Sequence, residues 1–179
     1  IKDYKKMISM DLKEVDNLVL IIGKTEGHID QSLFARTILD EKNGPPPEVN
    51  LFNEKNNGES ILNLIDKGYV KSAHDISLGG LLVAISKMCI RGNKGIKINK
   101  SKKLINEIEY FFAEDQGRYL IEVNKEDLKE VTKILDKNSV HHEELGIITQ
   151  KDMIINEKTK VTIDELKSYY KNWLSKYMS

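Results

Sequence analysis

The sequence predicts an α+β fold in which helices pack on a mixed β-sheet. Short apolar runs typical of buried strands, such as "LVLII" at 18–22 and "RYLIEV" at 118–123, alternate with amphipathic segments that have helical spacing. Two later segments, "HHEELGIIT" at 141–149 and "DMIINEKTKVTI" at 152–163, indicate one or two hairpin strands. A late β-pair does not fit a purely parallel doubly wound sheet, so a mixed sheet is predicted.

In the first half of the chain, turn and cap signals separate the strands from the helices. Asp30 is a candidate N-cap, and the prolines at 45–47 exclude a helix interior or a central strand at that point. We expect Ile61, Leu62 and Ile65 to form one apolar helix face. The predicted strands cover 17–23 and 69–76, and the predicted helices cover 30–40, 53–68 and 79–91, the last with an apolar stripe of Leu81, Leu82, Ile85 and Met88.

In the second half, the same reasoning predicts a short strand, two helices and the late strands already named. The segment "KEDLKEVTKILDKN" has the clearest amphipathic spacing of these. The predicted elements are a strand at 95–98, a helix at 102–112, the strand at 118–123, a helix at 125–138 and a final helix from Asp164 that carries Leu166, Tyr170, Trp173 and Leu174.

The composition excludes several classes of protein. The 179 residues suit one domain, and 28 basic residues cancel 28 acidic ones, so no overall field recruits nucleic acid or an anionic membrane. The single cysteine, Cys89, excludes a disulfide framework and indicates a reducing compartment. The longest apolar run is too short to cross a bilayer, and no signal-peptide pattern is present. We therefore expect a cytoplasmic protein without nucleic-acid or membrane partners.

The stretch "SAHDISLGG" at 72–80 carries the densest candidate chemistry. A strand that ends in polar residues before a glycine-led helix could bind an anion, with Ser77 as N-cap and His74 donating to a phosphate oxygen. Asp75 could hold a metal that accompanies a phosphate, or accept from loop amides. The alternative has equal standing: Asp75 and Ser77 cap the helix, Gly79 and Gly80 permit close packing, and His74 is a core histidine.

The stretch "EDQGR" at 114–118 is the second candidate. Glu114 and Asp115, placed in a turn before a strand, could contact a polar ligand or a neighbouring domain. The alternative is an ordinary Asp-x-Gly turn in which Arg118 pairs with an acid on the surface.

Other candidates carry less chemistry. His141 and His142 are consecutive in a predicted strand and point to opposite faces, which disfavours one shared metal. The basic stretch at 91–103 has no interleaved aromatic residue, so a solvated edge is favoured over a nucleic-acid patch. Cys89 is expected to pack as a small apolar residue.

The order of several motifs resembles one known family. The motifs are "LIIGKTEG" at 20–27 with a serine after it, "GPPPEVNL" at 44–51, "GYVKSAHDISLGGLLVAISKM" at 68–88, "FAEDQGRYLIEV" at 112–123 and "LGIIT" at 145–149. They resemble the C-terminal domain of the synthetase subunit of the phosphoribosylformylglycinamidine synthase family, in the aminoimidazole ribonucleotide synthetase-related superfamily. The resemblance extends from Asn17 to the final helix.

The resemblance implies the fold of the aminoimidazole ribonucleotide synthetase C-terminal domain and a parent subunit with two tandem two-domain copies. In that arrangement residues 1–16 lead in from a preceding domain, and residues 17–179 form the C-terminal flanking domain. The first residue is isoleucine, which fits a piece of a longer chain. If Ser179 is the natural C-terminus, the parent is expected to need a separate glutaminase subunit and a small bridging subunit.

The resemblance also implies the chemistry of the parent, an ATP-dependent ligase of purine biosynthesis that uses Mg²⁺. ATP activates the amide oxygen of formylglycinamide ribonucleotide, and ammonia derived from glutamine displaces phosphate to give formylglycinamidine ribonucleotide. The family's catalytic histidine and magnesium ligands belong to parts outside this chain. We therefore expect no catalytic residue, metal ligand or firmly bound cofactor here, and an auxiliary role. The alternatives are a subunit-interaction module and an ATP-binding domain of another superfamily member.

The resemblance marks an auxiliary or vestigial phosphate pocket, from which the sequence departs at several positions. Leu78 stands where the family usually has aspartate, Asp115 where it often has serine, and Asp30 where it often has glycine. Added carboxylates repel phosphate, which favours a vestigial pocket, and in that case we expect Leu78 to be partly buried against an apolar neighbour. The candidate pocket residues are Ser32, His74, Asp75, Ser77, Gly79, Gly80, Glu114, Gln116 and Arg118.

Overall fold

A computed structural model describes residues 3–99 and 106–178. Seven strands and six α-helices follow one another in that part of the chain, together with two short 3-10 turns. The strands are β1 Leu18–Ile22, β2 Val70–Ile76, β3 Gly95–Ile98, β4 Arg118–Val123, β5 His142–Thr149, β6 Asp152–Ile155 and β7 Thr159–Thr162. The helices are α1 Leu33–Ile38, α2 Leu51–Asp66, α3 Gly80–Gly92, α4 Glu107–Phe112, α5 Leu128–Lys137 and α6 Ile163–Met178.

The strands form one seven-stranded sheet in the order β2-β4-β1-β5-β3-β6-β7. Only the β3–β6 pair is parallel, and the other five neighbouring pairs are antiparallel. This confirms the predicted mixed sheet. All five residues of β1 are buried, because helices cover both faces of the sheet at that point.

Two apolar clusters hold the helices to the two faces of the sheet. On one face, α3 and α4 pack against alternate residues of the central strands, and Ile163 at the start of α6 joins them. On the opposite face, α2 and α5 pack against the other set of alternate residues. The domain therefore has three layers, with the sheet between two layers of helices.

Most predicted elements are found, with local corrections. The N-cap of α1 is Ser32, whose Oγ accepts from the Ala35 amide at 3.1 Å, so the assignment of Asp30 is wrong. Leu62 is 62% exposed, and Leu64 instead joins Ile61 in the core. The predicted start of the helix at 102–112 and part of the basic stretch fall on residues 100–105, outside the described residues, as do the side chains of Trp173 and Leu174.

A segment before β1 is bound to the sheet by one buried carboxylate, Glu122 of β4. Its Oε2 accepts from the Lys13 amide at 2.8 Å, and its Oε1 accepts from the Glu14 amide at 3.0 Å. The Asn17 side-chain amide and the Ser72 hydroxyl also donate to Glu122, at 2.7 and 2.8 Å. Four donors therefore satisfy this fully buried group.

The single cysteine lies in the core, as expected. Cys89 of α3 is fully buried, and burial raises the pKa of its thiol to about 12. Since the thiolate is the reactive species, we expect the folded chain not to react with a disulfide reagent at pH 8 and the urea-unfolded chain to react fully. Release of the reagent's chromophore measures both. Complete reaction of the folded chain, as fast as the unfolded one, would contradict the buried position.

No helix in residues 3–99 and 106–178 combines the length and apolar character needed to cross a bilayer.

Candidate functional site

Two loops converge where β1 ends and β4 begins. Because β1 and β4 are antiparallel and Ile22 pairs with Tyr119, the loop after β1 (23–28) lies beside the turn before β4 (113–117). The end of β2 reaches the same edge, since Ile76 pairs with Arg118. The sheet topology thus places the "HDISLGG" and "EDQGR" motifs, which are about forty positions apart, beside each other at the same end of the strands.

Asp115 connects the turn to the loop. The backbone N–H groups of Glu26, Gly27 and His28, which we call the amide cradle, all donate to its carboxylate. The Glu26 and Gly27 amides lie 3.0 and 3.2 Å from Oδ2, and the His28 amide lies 3.0 Å from Oδ1. Asp115 is only 6% exposed, so these hydrogen bonds replace its lost hydration.

Arg118 lies behind Asp115 in the interior. Its Nη1 donates to Thr25 Oγ1 at 3.1 Å, its Nη2 donates to the Ala113 carbonyl at 2.6 Å, and Nη2 lies 3.7 Å from Asp115 Oδ2. Burial lowers the pKa of Arg118, and the charge of Asp115 acts in the opposite direction. Arg118 is 1% exposed, so the alternative of a surface ion pair is wrong.

Glu114 joins the starts of two helices. Its Oε1 accepts from the Leu33 amide of α1 at 2.7 Å and from the Gly79 amide at the start of α3 at 2.8 Å. Three of the predicted pocket residues, Ser32, Gly79 and Glu114, therefore do come together. The carboxylate takes up the amides that a phosphate would use there.

The glycine pair lies at the start of α3, where Gly79 faces Val83 and Gly80 packs against the end of α4. Gly79 is the N-cap with φ of 88°, and no side chain of this motif caps the helix, so the expectation in both interpretations that Ser77 caps it is wrong, as is the cap expected from Asp75. Gly80 has φ of 72°, and a Cβ on it would lie 2.7 Å from the Ala113 carbonyl oxygen. Both glycines are thus required by backbone conformation or close approach, as the packing alternative proposed.

His74 and Asp75 contact each other at the end of β2. Nδ1 of His74 lies 3.1 Å from Oδ1 of Asp75. Burial lowers the pKa of His74, and the neighbouring Asp75 acts in the opposite direction. Burial acts to raise the pKa of Asp75, but the hydrogen bond from Ser77 and nearby cations outweigh it and lower that pKa. His74, Asp75 and Ser77 do not line the cavity that opens beside the turn before β4.

A cavity of about 590 Å³ opens between the loop after β1, the first turns of α2 and the turn before β4. Gln116 is the one predicted pocket residue that lines it. The wall of the cavity contains four acidic residues and one lysine, so the cavity disfavours an anion. The acidic and basic wall residues are Lys24, Glu26, Glu48, Glu54 and Asp115, and the other polar side chains are His28, Asn50, Asn53, Asn57, Ser139 and His141.

Sequence reasoning missed the contribution of α2 to this cavity. Asn53 and Asn57 are four residues apart and therefore share one helix face. Asn57 is nearly buried and donates to the Gly117 carbonyl at 2.9 Å. The sequence does contain a signal for this polar helix face, since Asn53 and Asn57 have helical spacing and follow the N-cap residue Asn50.

The described residues, 3–99 and 106–178, contain no group of three or more histidine, cysteine or acidic side chains placed to hold a metal ion. His141 borders the cavity, whereas His142 belongs to β5, and its Nδ1 lies 3.1 Å from the Val140 carbonyl oxygen.

Leu78 does not pack as expected. It is 57% exposed, so the prediction of partial burial is wrong, and Gly80 makes the close contact with α4 instead. We now expect Leu78→Asp to change the free energy of unfolding by less than about 0.5 kcal/mol, because the new carboxylate stays hydrated. Leu81→Asp, three residues later and fully buried, is the matched contrast and should lose well over about 2 kcal/mol. Urea titrations measure both, and equal losses would contradict the exposed position of Leu78.

The family described as "AIR synthase related protein, C-terminal domain" matches residues 14–156 of this chain. The chain is 64% identical over 178 residues to "Phosphoribosylformylglycinamidine synthase subunit PurL" of Pelagibacter ubique, which covers 99% of the chain and 24% of that relative. It is 34% identical over 176 residues to the protein of the same name from Bartonella henselae, with 98% and 24% covered. The chain thus spans about a quarter of the length of these curated relatives.

Solved structures show the same fold. "T. maritima PurL complexed with FGAR" superimposes with a TM-score of 0.74 at 18% identity, over 91% of this chain and 30% of that one. HypE of E. coli, a hydrogenase maturation protein, superimposes with a TM-score of 0.63 at 16% identity, over 87% of this chain and 52% of that one. At these identities the similarity establishes the fold alone.

Proposed function

Because this chain belongs to the family of AIR synthase-related proteins, as their C-terminal domain, we propose that it is part of a phosphoribosylformylglycinamidine synthase synthetase subunit. The observation that carries the proposal is the 64% identity to the Pelagibacter ubique subunit along 99% of the chain. In this proposal residues 17–179 are the C-terminal flanking domain and residues 1–16 lead in from a preceding domain. Leu12 packs in the core, which supports a fixed junction between the two.

The proposed parent makes formylglycinamidine ribonucleotide from formylglycinamide ribonucleotide with ATP and ammonia derived from glutamine. It works in the cytoplasm with Mg²⁺, a separate glutaminase subunit and a small bridging subunit. T. maritima PurL structures complexed with ATP and with ADP, and a structure named PurLQS, support a nucleotide-using assembly of this kind.

Within that parent, we propose an auxiliary role for this chain. Mg²⁺ with a nucleotide does not fit the motif residues, because Glu114 and Asp115 both accept backbone N–H groups in place of a ligand. The acidic cavity wall also disfavours a phosphate group. The contribution of the chain is then to hold α1, α3 and the loop after β1 in a fixed arrangement beside the rest of the subunit.

A chimera tests the parent assignment. The matching quarter of the Pelagibacter ubique subunit would be replaced by this chain, and ATP-dependent amidine formation would be measured with ammonia supplied directly. We expect the chimera to be active, and the subunit without this quarter to be inactive. A folded chimera without activity, beside an active natural subunit, would contradict the assignment.

The isolated chain should be inactive and should bind nucleotide weakly. We expect no amidine synthesis, and an affinity for Mg-ATP no tighter than about 1 mM, or roughly −4 kcal/mol. Calorimetric titration with Mg-ATP and with ADP is the measurement. A micromolar dissociation constant that disappears in Asp75→Ala or Ser77→Ala would contradict a vestigial pocket and restore an occupied auxiliary phosphate site.

A further inference from the structure

We propose that the amide cradle is an oxyanion-binding site that Asp115 occupies from within the chain, and that removal of this carboxylate opens it to inorganic phosphate or sulfate. The inference rests on the geometry around Asp115 and holds whether or not the parent assignment is correct.

The cradle has the form of a backbone anion site. Three successive N–H groups converge on one carboxylate at distances of 3.0, 3.2 and 3.0 Å. Gly27, the middle residue, has φ of 92°, and a positive φ at one member is typical of such concave amide arrangements. The two carboxylate oxygens therefore stand where two oxygens of a phosphate or sulfate would bind.

An ordinary Asp-x-Gly turn does not explain these contacts. In such a turn the aspartate accepts from an amide about two residues later in the chain. Here the three donors lie 87 to 89 positions earlier in the sequence, in another loop. Asp115 therefore binds a preformed group of donors contributed by a separate segment, as a ligand would.

The charge behind the cradle is also suited to an anion. The Arg118 guanidinium lies 3.7 Å from Asp115 Oδ2 and is held by Thr25 and the Ala113 carbonyl, independently of the carboxylate. Without Asp115, a buried cation and three amides would face an empty space. Asp115 borders the 590 Å³ cavity, so an ion from solvent has a path to that space.

In the natural chain the tethered carboxylate excludes a free anion. It is covalently held at the site, so its effective concentration exceeds that of phosphate at ordinary millimolar levels. Its negative charge also repels a second anion at close range. The natural chain should therefore show no specific phosphate binding at the cradle.

The test compares Asp115→Ser, which removes the carboxylate, with the natural chain and with Glu48→Gln, a change outside the cradle. The control removes one exposed negative charge from the same cavity wall and leaves the cradle filled. Phosphate binding would be measured by calorimetry, and thermal unfolding would be followed in sodium phosphate and in sodium chloride of equal ionic strength. The difference between the unfolding midpoints of the natural chain in the two buffers gives the general stabilising effect of phosphate, and this difference is subtracted from that of each variant.

We expect Asp115→Ser to bind phosphate saturably and about tenfold or more tighter than the natural chain and Glu48→Gln. Its unfolding midpoint should be lower in chloride and recover in phosphate, because a bound ion stabilises the folded state. Asp115→Asn keeps one acceptor oxygen and should fold in both buffers with an intermediate response.

Two outcomes would overturn the proposal. One is equal phosphate affinity in the natural chain and Asp115→Ser, which would show that the cradle is not the site. The other is an absence of phosphate rescue, whether the variants fold without responding or remain unfolded in both buffers, because an oxyanion then does not replace the carboxylate.

Discussion

Glu122→Gln is expected to lower the free energy of unfolding by about 3 kcal/mol, although the side chain keeps its size. Each carboxylate oxygen of Glu122 accepts from one backbone amide and from one side chain. In glutamine one of these oxygens becomes an NH₂ group, which cannot accept. At least one part-buried backbone amide of the 13–14 segment then faces another donor in place of its acceptor, and this lost hydrogen bond destabilises the fold.

Urea denaturation of Glu122→Gln measures this loss. Glu144→Gln is the control, since Glu144 is an exposed glutamate on β5 of the same sheet and should change stability by less than about 0.5 kcal/mol. We also expect limited proteolysis to cut the variant first near residues 9–17, because Glu122 holds that segment to the sheet. Equal stability of the two variants would contradict the structural role of Glu122.

The sheet was predictable because its strands are short apolar runs with little helical character. β1 is buried on both faces and shows a continuous apolar sequence, and β4 has the apolar run Leu120–Ile121 followed by Val123, which fits a short strand more easily than a helix. The late strands β5 to β7 were also expected as hairpin strands. Their order in the sheet was not, since β3 inserts between β5 and β6 through contacts that no local pattern encodes.

Glu122 shows why one strong structural residue was missed. A glutamate that alternates with apolar residues in "RYLIEV" normally indicates a solvated strand face. Its backbone partners Lys13 and Glu14 lie 109 and 108 positions away, and only the folded topology brings them to it. A separation of 87 to 89 positions likewise hid the role of Asp115 in filling the amide cradle.

Helix starts were decided by tertiary contacts rather than by the residue type. Asp30 and Ser32 are both favourable N-caps, and the sequence does not choose between them. Glu114 accepts from the Leu33 amide, which places the first turn of α1 after Ser32. At α3 the same carboxylate accepts from Gly79, so a distant residue serves the helix start in place of Ser77.

Arg118→Met should be the most destabilising of the changes considered, with a loss of about 3–5 kcal/mol. Methionine keeps the apolar stem but removes the donors to Thr25 and to the Ala113 carbonyl. It also leaves the nearly buried Asp115 without its cation, so that the three amides alone must stabilise the carboxylate.

Chemical denaturation of Arg118→Met, Asp115→Asn and the double variant measures this loss and its origin. If the cation and the carboxylate depend on each other, the double variant should be clearly more stable than the sum of the two single losses predicts. Arg91→Met is the control, because Arg91 is exposed at the end of α3 and should lose no more than about 1 kcal/mol. Strict additivity would show instead that Arg118 acts only through its bonds to Thr25 and the Ala113 carbonyl, and that the cradle holds Asp115 without help from the guanidinium.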